Sequence, residues 1–267
     1  LGGQYFDKPM VIKEGANKGK EHPVSPTFDS KDPFRNANVR KALNLAVDRE
    51  QIRKTYFGDA GIPSAVQGVP PYRGDHKGDW KSYAYNPQEA KRLLTEAGYP
   101  NGFEFNFYVG PWTGLSEAPD IAEVLVGYWK AIGLNPKLVP EETSVTIPKA
   151  RARELGKSMT IWQGSINTYQ QHMLFLVSKV TGAPGYIWEY EELDNMYIEL
   201  TKATDPKERL RITQQMGDYV YNNYLSLPMF FVVPQIAFDP AVLKDYSVNY
   251  RNFGPVNHHE FSEPIYK

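Results

Sequence analysis

Hydrophobic positions along this chain change period in a regular order. Val39, Ala42, Leu43, Ala46 and Val47 recur at i, i+3, i+4, i+7 and i+8, the spacing of one helical face, and Asn38 stands where an N-cap belongs. Asp48 and Gln51 read as a capping box that opens a second short helix, which Gly58 stops. In NPQEAKRLLTEAGYPNG, Asn86 supplies a cap, Pro87 takes the first helical position and Gly98 sits just past the end. The period then falls to two: Phe103, Phe105, Phe107 and Val109 share one face, which predicts a strand. A helix from about Ser116 to Ile132, closed by Gly133, and a strand over LNPKLVP follow. Residues 144 to 155 form a weaker helical pattern, and MTIWQG reads as the strand after it. Two more helices are predicted, from about 190 to 203 and from Asp205-Pro206 to about Tyr224, and LSLPMFFVV reads as a buried strand. This alternation of helix and strand predicts an α/β layer fold, a mixed sheet flanked by helices.

The flanks are less periodic. YFDKPMVI reads as a strand, KEGANKGKEHPVSP is turn-rich, and TFDSKDPF places Pro33 in an extended approach to the first helix. The stretch GIPSAVQGVPPYRGDHKGDWKSYAY is long and irregular, and such loops are uncommon in compact domains unless functional or well packed. The last stretch, from Pro234, is rich in turn residues and lacks helical periodicity.

Composition narrows the function classes. A chain of 267 residues buries roughly three-quarters of its unfolded surface and folds without staples. Net charge is −1 with acids and bases interspersed, so no electrostatic footprint for nucleic acid stands out. The longest basic cluster, Lys149 to Arg153 with Lys157, reads as the solvated face of a helix. The absence of cysteine removes thiol catalysis, thiolate metal sites and disulfides. No run approaches the roughly 18 apolar residues that span a bilayer. No G-x-S-x-G elbow, phosphate-cradling glycine loop or H-E-x-x-H occurs. His258, His259 and Glu260 are adjacent, and adjacent residues point apart on a strand, so a surface turn outweighs a metal role. His22, His76 and His172 stand alone in the sequence.

Four blocks, in order, resemble the family 5 extracellular solute-binding proteins of ABC importers, the oligopeptide, dipeptide and nickel receptors. TFDSKDPFRNANVRKALNLAVDREQI is similar to the family's extended approach and VRxALxxAIDR helix, through Phe28, Pro33, Phe34, Val39, Arg40, Ala42, Leu43, Ala46, Val47, Asp48 and Arg49. YNPQEAKRLLTEAGYPNGFEFNFYV, AEVLVGYWKAIGLNPKL and TDPKERLRITQQMGDYVYNNYLSLPMF resemble its next three blocks. The resemblance implies the C-terminal lobe of a type II periplasmic-binding-protein fold, with the N-terminal lobe lying outside this chain. On that basis residues 1–35 are linker segments returning from the first lobe, 36–227 the α/β lobe, and 228–267 a hinge strand and C-terminal segment. Hinge crossings are expected near 27–35 and 228–236. A non-catalytic, monomeric receptor is implied, periplasmic or extracellular, with no cofactor, handing its solute to the transmembrane subunits of a permease. Arg40 and Arg49 are expected to anchor helices through ion pairs, since buried arginines need partners.

Two loops follow strand ends, where α/β ligand sites form: VGPWTGLSE and WQGSINTYQQ. In peptide-binding relatives the second loop carries an aspartate for the peptide's free ammonium; Ser165 occupies that place here, with Trp162 matching the tryptophan. The ligand residues expected are Trp112, Trp162, Gln163, Ser165, Asn167 and Tyr169. Residues 163 to 171 contain no carboxylate, so a neutral polyhydroxyl solute suits them better than a buried ammonium. Glu117 or Asp120 could restore a peptide site, and packing of Trp162 and Tyr169 into the lobe core is an equal alternative for those rings.

Overall fold

The computed structural model describes residues 3–13, 17–22, 24–110, 115–161, 173, 176–177, 188–232, 239, 241–247 and 263–266. The chain opens with a short hairpin, β1 (Met10–Val11) against β2 (Glu21–His22), so only the end of YFDKPMVI is strand. Pro33 begins a single 3-10 turn, Pro33–Arg35, in place of an extended approach, because the Asp32 carboxylate caps it by accepting from the Phe34 N–H at 2.9 Å. That turn delivers Asn36 in extended geometry, and its Oδ1 accepts from the Asn38 N–H at 2.9 Å. Asn36, two residues before the expected cap, therefore opens α1 (Ala37–Leu45). Asp48 caps α2 (Arg49–Tyr56) through the Gln51 N–H as expected.

Helix α3 (Pro87–Glu96) starts on Asn86, whose Oδ1 accepts from the Glu89 N–H at 3.0 Å. It ends in a left-handed Gly98 at φ 90°, with Tyr99 N–H donating to Leu94 O at 2.8 Å and Gly98 N–H to Thr95 O at 3.0 Å, the paired bonds of a Schellman stop. After β3 (Gly61–Pro63) and β4 (Glu104–Val109), helix α4 (Ala118–Ala131) closes the same way at Gly133, φ 95°. Strand β5 (Asn135–Pro140), helix α5 (Thr143–Arg151) and strand β6 (Ser158–Thr160) follow, then α6 (Glu191–Lys202) and α7 (Pro206–Asn222). Strand β7 (Phe230–Val232) pairs antiparallel with β3, and β8 (Leu243–Ser247) pairs antiparallel with β9 (Glu263–Tyr266).

The central sheet is parallel, in the order β5-β4-β6. The alternation in β4 buries Phe105, Phe107 and Val109 against α1, α3 and α4, where Trp129 is fully buried and donates its Nε1–H to Leu43 O at 3.2 Å. Phe107 and Trp129 meet edge to face at 5.2 Å, a geometry worth about 0.5–1.5 kcal/mol beyond burial. A second cluster gathers α6, α7, Met173, Leu176 and Trp188 around Trp80, which fixes the long irregular stretch by donating to Asp218 Oδ1 at 2.9 Å.

Two expectations fail here. Strand β7 is not buried: among the described residues it pairs only with β3, Phe230 and Phe231 are half-covered, and Val232 is 39% exposed. The basic cluster is not one solvated face. Helix α5 ends at Arg151, so helical spacing no longer dictates where Arg153 faces; at φ 62° it is 2% exposed and ion-paired with buried Glu189.

Candidate functional site at the carboxyl ends of the parallel strands

Because β5, β4 and β6 run parallel, their carboxyl ends share one edge. The chain passes from β4 to β5 on one side and then to β6 on the other, so strand order reverses at β4, the arrangement that opens a ligand crevice in α/β sheets. Tyr108 of β4 stands opposite Thr160 of β6, and the Ile161 N–H donates to Tyr108 O at 3.4 Å. The two loops chosen from the sequence therefore spring from neighbouring strands at the same end. Their ligand candidates, Trp112, Trp162, Gln163, Ser165, Asn167 and Tyr169, lie outside the described residues. The roots of the loops are described; the rings and amides are not.

A third loop, Glu141–Glu142, leaves β5 at this edge. Sequence reasoning missed it, although the strand-end criterion that selected the other two applies equally to the residues after Pro140. Val109, Gly110, Pro119, Leu138 and Pro140 with these two glutamates line a cavity of about 250 Å³. Gly110 is required by space: a Cβ there would come 2.3 Å from Glu141 O, while the Glu141 N–H donates to Val109 O at 2.9 Å. Glu141 accepts from Thr146 Oγ1 at 2.9 Å and is ion-paired with Lys149, whose hydrogen bond holds its carboxyl below the usual range. The same bond raises the Lys149 ammonium, which also lies 5.7 Å from the Tyr108 ring centre. Glu142 is exposed at the start of α5. An apolar floor with one compensated and one exposed carboxylate suits holding a solute.

Of the other candidates, Glu117 is half-buried before α4 and Asp120 is exposed in its first turn. His76 packs edge-on against Trp80 at 5.4 Å. Side chains of His22, His172, His258, His259 and Glu260 lie outside the described residues, and among the described residues no three His, Cys, Asp or Glu could hold a metal ion. Arg40 and Arg49 are buried as expected, but not through ion pairs: each described hydrogen bond from Arg40 goes to a backbone carbonyl, and those from Arg49 go to carbonyls and the Asn44 side chain. Carbonyls displace the expected carboxylates because the guanidinium groups reach connector backbone that has no strand or helix partner.

The fold and this edge define an α/β layer with a switch point at the carboxyl ends of its parallel strands. Residues 13–183 match the model of the bacterial extracellular solute-binding proteins, family 5, and the chain belongs to that family, whose members are transport receptors and not enzymes. It is 30% identical to heme-binding protein A of Haemophilus influenzae over 79% of this chain and 39% of that protein. It is 26% identical to the dipeptide-binding protein of Escherichia coli, over 86% of this chain and 43% of the relative. Among solved structures it resembles the periplasmic binding protein DppA of Helicobacter pylori in complex with peptide STSA, with TM-score 0.66 and 21% identity over 78% of this chain and 40% of that one. The chain thus spans about two-fifths of the length of these relatives. Among the described residues no helix is long and apolar enough to cross a membrane.

Proposed function

We propose that this chain is the C-terminal lobe of the substrate-binding component of an ABC-type importer. It works as a monomer in the periplasm or at the cell exterior, where a small polar solute is held between two lobes and handed to a membrane permease. Residues 36–227 form the lobe, with 1–35 and 228–267 running from and back to the other lobe. The observation that carries this reading is the parallel edge of β5-β4-β6, which gathers three loops at the switch point of a solute-binding family fold. The sequence of the two loops supplies apolar rings in Trp112, Trp162 and Tyr169 and neutral dipoles in Gln163, Ser165 and Asn167. A buried ammonium needs a counter-charge, and residues 163 to 171 hold none, so a neutral oligosaccharide-like solute is the first choice.

A peptide is the second reading. It is favoured by Glu141 and Glu142 beside the cavity, and by relatives named for a dipeptide or solved with a peptide. Titration calorimetry of the two-lobed protein separates the two. Heat from neutral oligosaccharides with free-amine dipeptides silent supports the first; the reverse supports the second. Turnover of any bound solute would overturn the receptor reading itself.

A further inference from the structure

Three polar side chains on α1 and the start of α2 have no part in the site above. Arg40, Asn44 and Arg49 are 3%, 0% and 7% exposed. Arg40 donates from Nε to Asn223 O at 2.8 Å, and from Nη1 to the carbonyls of Phe34 and Arg35 at 2.8 and 2.9 Å. The Asn44 amide donates to Ser226 O at 3.0 Å while its Oδ1 accepts from Arg49 Nη2 at 2.6 Å. Arg49 completes the array, with Nε donating to Pro228 O at 2.7 Å and Nη1 returning to Asn44 O at 2.9 Å.

Apart from the bonds that link these residues to one another and to the end of α1, they reach two stretches. One is the 3-10 turn that leads into α1; the other is the connector from α7 to β7. Both carry backbone carbonyls that no strand satisfies, and a guanidinium presents several donors in one plane, so a single side chain can serve both stretches. Arg40 does this directly, and Arg49 reaches the connector farther along while bracing Asn44. The flanking stacks, Tyr83 on Tyr221 at 5.0 Å and the Arg49 guanidinium 5.7 Å from the Tyr83 ring centre, close the array from the α7 side.

We infer that Arg40, Asn44 and Arg49 are positioning residues that pin the chain's entry to the lobe, at 34–35, and its exit, at 223–228, to α1 and the start of α2, so that lobe movement bends the chain outside these points. The inference rests on the two-lobed reading for its functional meaning and on the hydrogen bonds alone for its geometry.

The test uses Arg40→Lys and Arg49→Lys, which keep the charge but lose the planar fork, with Leu200→Ala in the second cluster as a destabilised control. Hydrogen exchange on the chain should show Arg49→Lys accelerating amides near 226–231 by about tenfold or more, the worth of one charge-assisted bond. Arg40→Lys should accelerate both the 34–36 and 223–226 amides. Neither should change protection in the β4 core, and the control, whose cluster also holds Leu225, should leave the 34–36 stretch as in wild type. Even acceleration across the lobe, or unchanged protection of both stretches, would overturn the inference. In the two-lobed protein, spin labels on each lobe should report a broader interlobe distance distribution for Arg40→Lys and not for Leu200→Ala. An equally narrow distribution in both also overturns it. A wild-type protein whose interlobe distance ignores every peptide and oligosaccharide tried would count against the transport reading, with the exchange pattern still reporting the clamp.

Discussion

Replacing Glu189 by glutamine should be the most informative single change to the scaffold. Its carboxylate takes Arg153 Nε and Nη2 at 2.6 and 2.5 Å and the Phe6 N–H at 2.9 Å, with side-chain exposures of 2% for Arg153 and 0% for Glu189. The Glu189 N–H donates to Gly3 O at 3.0 Å, so the residue also ties the first described segment to the chain before α6. Glutamine keeps the shape but turns one acceptor into a donor facing a guanidinium that stays charged. Breaking a buried pair in this way costs about 3–5 kcal/mol. With roughly 2.1 cal/mol/K of unfolding entropy per residue, a chain of 267 residues should lose about 5–9 °C in thermal midpoint. The double variant Arg153→Met, Glu189→Leu removes both charges together. It should recover most of the loss and retain only about 1–3 kcal/mol for the orphaned Phe6 N–H. Urea unfolding of the wild type, single and double variants gives these differences, with unchanged denaturant slopes as the check on two-state behaviour. A single variant within about 1 kcal/mol of wild type would refute the reasoning, since that is the range of a solvent-screened surface pair.

Other perturbations bear on separate parts of the molecule. Phe107→Ala should cost about 3–5 kcal/mol in urea unfolding, because the ring is 1% exposed and leaves a cavity against Trp129. Asn86→Ala should cost about 1 kcal/mol through loss of the α3 cap, and Asn86→Asp should restore it. Glu141 has a folded-state pKa below its ordinary 4.5, so its contribution is fully present above that value and is lost as pH falls through the depressed one. The midpoint gap between wild type and Glu141→Gln should therefore be constant near neutrality and close on acidification; a gap that widens in acid would reverse the assigned sign.

What the sequence made legible is what local chemistry dictates. Asn86, Pro87 and Gly98 bound α3 as expected because a cap, a donorless residue and a left-handed glycine act within one turn. Phe105, Phe107 and Val109 share a face because strand period is geometric. The failures over buried charge involve partners distant in sequence, while the misplaced α1 cap is a local one. Asn36 wins the cap from Asn38 because the preceding turn presents it in extended geometry. Arg153 is buried by Glu189, 36 positions away, and the Arg40 and Arg49 partners lie about 180 positions on. A helical pattern cannot show that the residue just past its end turns inward, nor that an arginine will meet carbonyls in place of a carboxylate.

Strand order is the clearest case of a non-local fact with functional weight. The sequence lists three strands in succession and is silent on which of them pair. Had they paired in chain order, β5 would separate β4 from β6 by one more strand spacing, about 4.7–4.9 Å, and the loops after residues 109 and 160 would face each other across the Glu141–Glu142 turn. The observed order β5-β4-β6 sets Tyr108 against Thr160, so the roots of those two loops are neighbours and the acidic turn leaves β5 on the far side of β4. On the proposed reading, a solute at this edge meets a carboxylate of the acidic turn only if it extends towards β5. The balance between a neutral solute and a peptide is therefore a question of how far the ligand reaches across β4. Charge reversal at Glu142, exposed on that flank, should weaken an amine-bearing ligand and leave a neutral one bound as before in the same calorimetric titration.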